Sequence, residues 1–165
     1  MTAFLLNSAI IVCTIIAMEV IAWVVHRHVM HGFGWGWHAS HHALREGVFE
    51  KNDLYAIFFA AIAIVLIWLG THGHAPLQWV GAGMTAYGAL YFVAHDGLVH
   101  QRWPLKVTPR GGYLKRLYQA HHLHHAAHDR LGAVSFGFLW APSPKRLRLQ
   151  LQEMRRRGEP SVADR

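Results

Sequence analysis

The chain has 165 residues, of which 53% are hydrophobic, and a formal charge of +7 at pH 7. This length fits one domain or one compact membrane unit, and the single cysteine, Cys13, excludes an internal disulfide. None of the sixteen Lys and Arg residues lies in 1–25 or 54–101. That segregation argues against a nucleic-acid partner and is typical of a membrane protein whose basic residues stay in the cytoplasm.

Residues 3–25 form the first predicted membrane span. The run carries one charge, Glu19, and is longer than the about 20 residues that a membrane helix needs. A cleaved signal peptide is the competing interpretation, but the run lacks a basic start and a clear cleavage site. We expect the helix to continue through His26 and His31 and to end at the glycines that follow them.

Two further spans are predicted, at residues 54–70 and 77–94. The turn between them contains two histidines and no Lys, Arg, Asp or Glu. The third span has small residues at every fourth position, Gly81, Thr85 and Ala89. Such spacing lets helix backbones approach one another closely in lipid.

The predicted topology brings both histidine-rich stretches to one face of the membrane. The first span delivers His26 and His31 there, and the hairpin of the next two spans returns with His95 and His100. All basic residues lie on the same face, which should therefore be the cytoplasmic one. The sequence predicts an all-α integral membrane protein with about three long transmembrane helices, plus cytosolic or interfacial helices that carry a histidine-rich dimetal site.

The C-terminal region contains two weaker signals. Residues 131–141 are apolar but too few to cross the bilayer, so an interfacial or re-entrant segment is expected. Ser143 and Pro144 form a helix start, and three apolar residues follow at helical spacing among basic ones: Leu147, Leu151 and Met154. An amphipathic helix lying on anionic lipid and a solvated basic tail both remain open. The last eight residues are expected to be disordered.

Ten of the fifteen histidines belong to one pattern that occurs twice. Each half of the chain contains H-x4-H followed by H-x2-H-H, at His26, His31, His38, His41 and His42, and again at His95, His100, His121, His124 and His125. Neutral imidazole is the commonest protein metal ligand, and ten of them are enough for two metal ions. On a regular helix each triplet points its imidazoles in one direction, whereas an H-x4-H pair is separated by about 140°. The other five histidines lie outside the pattern.

The spacing alone leaves the metal and the chemistry open. Imidazole binds Zn, Cu, Fe and Ni alike. Motifs of carboxylate di-iron bundles, c-type haem, P-loops, dinucleotide sites and serine hydrolases do not occur in the sequence. Redox chemistry would therefore need electrons from outside the chain. A metal transporter or storage protein is an alternative that predicts polar ligands deep within the spans, where Glu19 alone is ionisable.

Several runs resemble bacterial β-carotene hydroxylases of the non-haem di-iron type, within the membrane fatty acid hydroxylase and desaturase superfamily. They include MEVIAWVVHRHVMHGFGWGWHASHH, GAGMTAYGALYFVAHDGLVHQRWP and YLKRLYQAHHLHH. The resemblance implies a membrane catalytic domain over residues 1–142, with the basic helix and tail of 143–165 outside it. It also implies that all ten pattern histidines are ligands of two iron ions, although zinc could replace iron on purification.

The reaction implied by the resemblance is O2-dependent hydroxylation of the β-ionone rings of β-carotene, giving β-cryptoxanthin and then zeaxanthin. The carotenoid would enter from the lipid bilayer of the bacterial inner membrane, and a ferredoxin-type donor would supply electrons at the cytoplasmic face. Conversion of canthaxanthin to astaxanthin remains open. The alternative is a related fatty acid or sterol hydroxylase or desaturase, which the histidine spacing does not distinguish.

Two carboxylates are predicted to support the ligands without binding metal. Glu19 lies seven residues before His26, two helical turns away on the same face. An ionised carboxylate inside a span usually has a functional partner, so Glu19 is expected to accept a hydrogen bond from a ligand imidazole. The same supporting role is assigned to Asp96, which follows His95. A Glu19 packed against polar neighbours, without a role at the metal, is the alternative.

Overall fold

The computed structural model describes residues 1–43, 47–104, 106–127 and 129–158, and these residues contain helices and irregular chain but no β-strand. In chain order the elements are α1 (Thr2–Val24), a first π-helical segment (Val25–Phe33), α2 (Trp35–His42), α3 (Asp53–Thr71), α4 (Leu77–Tyr91), a second π-helical segment (Phe92–Val99), α5 (Gly112–His124) and α6 (Pro144–Arg156). The all-α prediction is confirmed.

Two helical stretches are long and apolar enough to cross a membrane, Thr2–Phe33 and Asp53–Thr71. Both expose large apolar side chains along their length, such as Ile16 and Val65. Exposed apolar surface on this scale suits lipid contact. The third predicted span forms α4, which is not among the two candidates. Helix α4 has 15 residues and packs against both α1 and α3.

The three long helices approach closely where α4 carries glycine. A Cβ atom added to Gly81 would stand 2.7 Å from the carbonyl oxygen of Ala63 and 2.7 Å from a side-chain carbon of Ile67, both on α3. One added to Gly83 would stand 2.6 Å from the Cβ of Thr14 on α1. All three distances are shorter than real side chains tolerate, so the two glycines set how closely the helices pack.

Helix α6 belongs to the same body as the rest of the chain. The hydroxyl of Ser143 accepts a hydrogen bond from the backbone N–H of Arg146 at 3.3 Å, as the predicted helix start requires. Leu147 and Leu151 are buried in a core that α6 shares with Leu117 of α5. This burial corrects both expectations for this region, because the apolar face of α6 meets protein instead of lipid and the helix is not a detached tail. Of the last eight residues, which were expected to be disordered, 159–165 lie outside the described part of the chain.

The helix directions bring both histidine sets to one end of the molecule. The first π-helical segment and α2 continue α1, and the second π-helical segment continues α4 after the α3–α4 hairpin. His41 of α2 and His95 of the second segment meet there, with their Nε2 atoms 3.0 Å apart. The predicted convergence of the two sets is confirmed.

The close packing at Gly81 can be tested with a matched pair of substitutions. Gly81→Ala should lower the free energy of unfolding by about 1–3 kcal/mol, the usual cost of overpacking. Gly88→Ala is the control, since its added Cβ meets nothing within 4 Å, and it should stabilise α4 by roughly 1 kcal/mol through helix propensity. Thermal unfolding in detergent measures both; equal effects at the two positions would contradict the packing argument.

Candidate metal centre

The two H-x4-H pairs lie on the π-helical segments. The backbone N–H of His100 donates to the carbonyl of His95 at 2.9 Å, and a bond between residues five apart is the π-helical pattern. A π-helical turn places residues that are five apart on nearly the same face of the helix. The ring centroids are 4.5 Å apart for His95 and His100 and 5.3 Å apart for His26 and His31. The wide rotation of a regular helix therefore does not apply to these pairs.

Ten imidazoles gather at this end of the molecule in two clusters. Cluster A consists of His26, His31, His38, His42 and His124, and cluster B consists of His41, His95, His100, His121 and His125. Four residues of each, without His42 and His95, have candidate ligand atoms all within 4.8 Å of one another. The Nε2 atoms of His42 and His95 lie 3.2 Å and 3.0 Å from those of His38 and His41.

The clusters are interleaved between the two halves of the sequence. His38 and His42 contact cluster A, whereas His41 from the same triplet contacts cluster B. In the second triplet His121 and His125 belong to cluster B, and the Nε2 of His124 lies 3.3 Å from that of His31 in cluster A. The expectation that each triplet points all its imidazoles in one direction is therefore wrong. Each half of the sequence provides four members of one cluster and one member of the other.

Hydrogen bonds at Nδ1 orient seven of the ten rings. The acceptors are backbone carbonyl oxygens for His26, His31, His42 and His124, the amide oxygen of Asn52 for His38, and carboxylates for His41 and His95, at 2.7–3.0 Å. Each acceptor requires the proton on Nδ1, so the lone pair of each ring is on Nε2. The clusters thus turn lone pairs toward one another.

The geometry of these lone pairs fits metal ions. Neighbouring Nε2 atoms are 3.1–3.3 Å apart in cluster A and 2.9–3.0 Å apart in cluster B. Nitrogens bound to one ion at 2.0–2.1 Å would lie about 3 Å from each other. Facing lone pairs at that distance repel unless a cation stands between them. The donor set therefore suits one metal ion in each cluster.

Burial keeps the ligands neutral and ready to bind a cation. Desolvation lowers the pKa of His38 to about 3, and the hydrogen bond that its ring donates to the amide oxygen of Asn52 opposes this shift. Burial followed by repulsion from neighbouring imidazoles lowers the pKa values of His41, His121 and His124 well below the ordinary value for histidine. At neutral pH these rings are therefore neutral, so no imidazolium proton has to leave before metal binds.

Irregular chain after α5 provides the acceptors for four cluster A rings. We call residues 127 and 129–140 the carbonyl segment. Four rings donate to its carbonyl oxygens: His42 to Ala127, His31 to Arg130, His124 to Val134 and His26 to Phe136. Ser135, between the last two carbonyls, has a left-handed φ of 63°, a strained conformation that is common at functional sites. The predicted interfacial or re-entrant stretch thus packs directly on the metal centre.

Glu19 fastens the end of the carbonyl segment. Its carboxylate accepts hydrogen bonds from the backbone N–H groups of Phe138, Leu139 and Trp140 at 2.8–3.1 Å and from the hydroxyl of Tyr87 at 2.8 Å. None of these donors is an imidazole, so the prediction for Glu19 is wrong. Helical spacing placed Glu19 on the face of His26 but gave no sign of the loop that reaches it. Glu19 therefore holds the backbone just beyond Phe136, whose carbonyl oxygen accepts from His26.

Carboxylates stand behind cluster B. Asp96 accepts from His95 at 2.7 Å and Glu50 accepts from His41 at 3.0 Å. Arg102 pairs with Asp96 at 3.3 Å and forms a two-pronged contact with Asp53 at 2.8 and 2.9 Å. The sequence analysis missed Glu50, Asn52 and Arg102. Glu50 and Asn52 could have been found from their position between the triplet His38–His42 and the next span, because polar residues there lie close to the ligands along the chain.

An apolar cavity of about 450 Å³ is separated from both clusters by aromatic side chains of its lining. It lies between α1, α3 and α4, and its lining includes Tyr91 and Phe138. The Tyr91 ring stacks on His95 at 4.5 Å between centroids, and the Phe138 ring stacks on His26 at 5.1 Å. The cavity therefore reaches one ligand of each cluster through an aromatic side chain.

The other four described histidines are apart from the clusters. His28, His72, His74 and His122 are exposed, and the His122 ring is tilted against the Tyr118 ring with their centroids 4.2 Å apart. His72 and His74 lie at the far end of the helices, beyond α3. His128 lies outside the described residues.

The fold and the site define a helical protein with apolar helices and two histidine clusters that could hold metal. The model of the fatty acid hydroxylase family matches residues 11–141, and the chain belongs to this family. It is 61% identical over 147 residues to the β-carotene hydroxylase of Pantoea ananas, covering 89% of this chain and 84% of that protein. It is 59% identical over 160 residues to the β-carotene hydroxylase of Pseudescherichia vulneris, covering 97% and 90%.

A plant relative is more distant. The chloroplastic β-carotene 3-hydroxylase 2 of Arabidopsis thaliana is 40% identical over 131 residues, which cover 77% of this chain and 43% of that protein. No solved structure matches the chain.

Substitution of neighbouring histidines in α5 separates ligands from bystanders. His121→Ala should reduce metal content by about half, because cluster B loses a ring whose Nε2 lies 2.9–3.0 Å from two others. His122→Ala, the adjacent control, should keep full metal content because that ring is exposed. Plasma spectrometry measures metal per protein. Equal losses from both variants would refute the assignment of ligands in α5.

Removal of the Glu19 carboxylate should loosen the carbonyl segment. Glu19→Ala leaves three backbone N–H groups and the Tyr87 hydroxyl without their acceptor, which we expect to cost about 1–3 kcal/mol of stability and to lower metal content at cluster A. Glu19→Gln keeps one acceptor oxygen and should lose less. Thermal unfolding and metal analysis check both variants; a Glu19→Ala protein with unchanged stability and full metal would contradict this role.

Proposed function

We propose that the chain is a β-carotene hydroxylase that uses O2 and a dimetal centre to hydroxylate the rings of β-carotene. Relatives with 61% and 59% identity carry that name, and the family match covers the residues that hold the clusters. The observation that carries the proposal is the convergence of ten imidazoles beside an apolar cavity within the helical bundle. Two iron ions held there would supply O2 activation, with two electrons delivered from outside the chain.

The protein residues bind and orient the substrate. An apolar polyene dissolves in the bilayer, so a cavity between lipid-facing helices gives one of its rings a route to the clusters without crossing water. Phe59, Met84 and Phe138 offer an apolar lining, which suits a hydrocarbon ring and excludes water. The Nδ1 acceptors hold the ligand rings in place, so that the positions of the metal ions relative to the cavity are fixed.

The carotenoid substrate can be tested directly. Membranes containing the chain, incubated with β-carotene, O2, ferredoxin and its reductase, should yield β-cryptoxanthin and then zeaxanthin by chromatography. Omitting O2, or substituting His121→Ala, should abolish both products. A fatty acid or sterol converted at a higher rate than β-carotene would favour the alternative within the same family and contradict the proposed substrate.

We further propose that the metal centre faces the cytoplasm of the bacterial inner membrane and that an acidic, ferredoxin-type protein delivers the electrons. Thirteen of the sixteen basic residues follow residue 101, and the other three lie between residues 26 and 53. These stretches belong to the histidine end of the molecule, where positive charge could steer an acidic donor and where the positive-inside rule predicts the cytoplasm. Contact of the same basic residues with anionic lipid is compatible with this orientation.

The orientation predicts the positions of two reporters. Alkaline phosphatase fused after Ala75, in the α3–α4 turn, should be active because that turn carries no Lys or Arg and should lie outside the cytoplasm. Green fluorescent protein fused after residue 158 should fluoresce on the cytoplasmic side. The reverse pattern, or cytoplasmic signals at both points, would contradict this orientation.

A further inference from the structure

We propose that the two metal positions are not equivalent, and that cluster B binds its metal more tightly because ionised carboxylates support its imidazoles. Among the described residues, the Nδ1 atoms of cluster A donate to neutral oxygens. The inference rests on the proposed function only in that both clusters hold metal. It concerns the order in which the clusters fill, which the reaction itself does not determine.

Every Nδ1 atom of cluster A has a neutral acceptor. Four carbonyl oxygens of the carbonyl segment take the protons of His26, His31, His42 and His124, and the amide oxygen of Asn52 takes that of His38 at 2.7 Å. These acceptors fix the tautomer and the orientation of each ring. Because none of them carries a formal charge, they increase the electron density of the imidazoles only modestly.

Two rings of cluster B donate to carboxylates instead. His41 donates to Glu50 at 3.0 Å and His95 donates to Asp96 at 2.7 Å. Both carboxylate side chains are only 11% exposed, so water screens their charge weakly. Arg102 lies 3.3 Å from Asp96, and an adjacent cation favours the ionised form of that carboxyl group.

A carboxylate behind a ligand imidazole affects the metal in two ways. The hydrogen bond draws the Nδ1 proton away and makes Nε2 more basic, and the nearby negative charge attracts the cation directly. Loss of such a partner typically costs about 10–100-fold in metal affinity. Since cluster B has two such partners and both clusters have five imidazoles, cluster B should fill first when metal is limiting.

The test uses the full chain in detergent, stripped of metal by a chelator and reloaded without O2 with ⁵⁷Fe(II). Mössbauer spectra of the fully loaded protein should contain two quadrupole doublets. His121→Ala and His26→Ala identify the doublet of each cluster, because each variant removes a ligand from one of them. With one equivalent of iron per chain, the cluster B doublet should contain most of the absorption.

Two charge variants act on opposite clusters. Glu50→Gln keeps an acceptor for His41 but removes its charge, so it should weaken cluster B by about 10–100-fold and shift limiting iron toward cluster A. Asn52→Asp places a carboxylate behind His38 and should strengthen cluster A. Because the two variants change different residues, failure of one to fold leaves the other as a complete test.

Equal partition of limiting iron between the doublets in the unsubstituted chain would overturn the inference. An unchanged distribution of limiting iron between the two doublets in both Glu50→Gln and Asn52→Asp would also overturn it. These readouts do not involve turnover of a carotenoid. A chain that fills cluster B first but makes no hydroxylated carotenoid would refute the proposed substrate and leave this inference standing. A chain that hydroxylates β-carotene but fills both clusters equally would refute this inference and leave the proposed substrate standing.

Discussion

The metal centre depends on hydrogen bonds that fix which nitrogen of each imidazole carries the proton. Seven rings donate from Nδ1 to an oxygen and therefore present an unprotonated Nε2 to the cluster. Without these acceptors, neighbouring rings whose Nε2 atoms are about 3 Å apart could hydrogen-bond to one another through alternate tautomers, and the clusters would lose their preference for metal. Much of the fold at this end of the molecule holds those acceptors in place: the Glu50–Asn52 stretch before α3, the second π-helical segment and the carbonyl segment.

The π-helical segments bring the two rings of each H-x4-H pair together. An α-helix would turn the two rings of an H-x4-H pair well apart, whereas the wider turn brings both to one side. The helices α2 and α5 then divide their triplets between the clusters, so that His41 and His124 each join the cluster formed mainly by the other half of the chain. Each cluster thus needs both halves of the sequence, and binding of metal should join the helices as well as prepare the chemistry.

Much of this arrangement could be predicted from the sequence, because hydrophobic runs, charge segregation and repeated histidine spacing are local signals. They gave the helical class, the meeting of the two histidine sets at one end and the ten histidines of the clusters. The partners of those histidines could not be predicted in the same way. Glu19 lies on the face of His26 by helical spacing, yet its acceptor oxygens bind backbone N–H groups of residues 138–140. The four carbonyls of the carbonyl segment have no side-chain signal, since every residue carries that group.

Each metal should be held by imidazoles from both halves of the chain. Anomalous diffraction at the iron absorption edge, from crystals of the iron-loaded protein, tests it most directly. We expect two peaks per chain, one among the Nε2 atoms of cluster A including His124, and the other among those of cluster B including His41. A single peak shared by all the histidines, or two peaks each bound by the histidines of one half alone, would contradict the account.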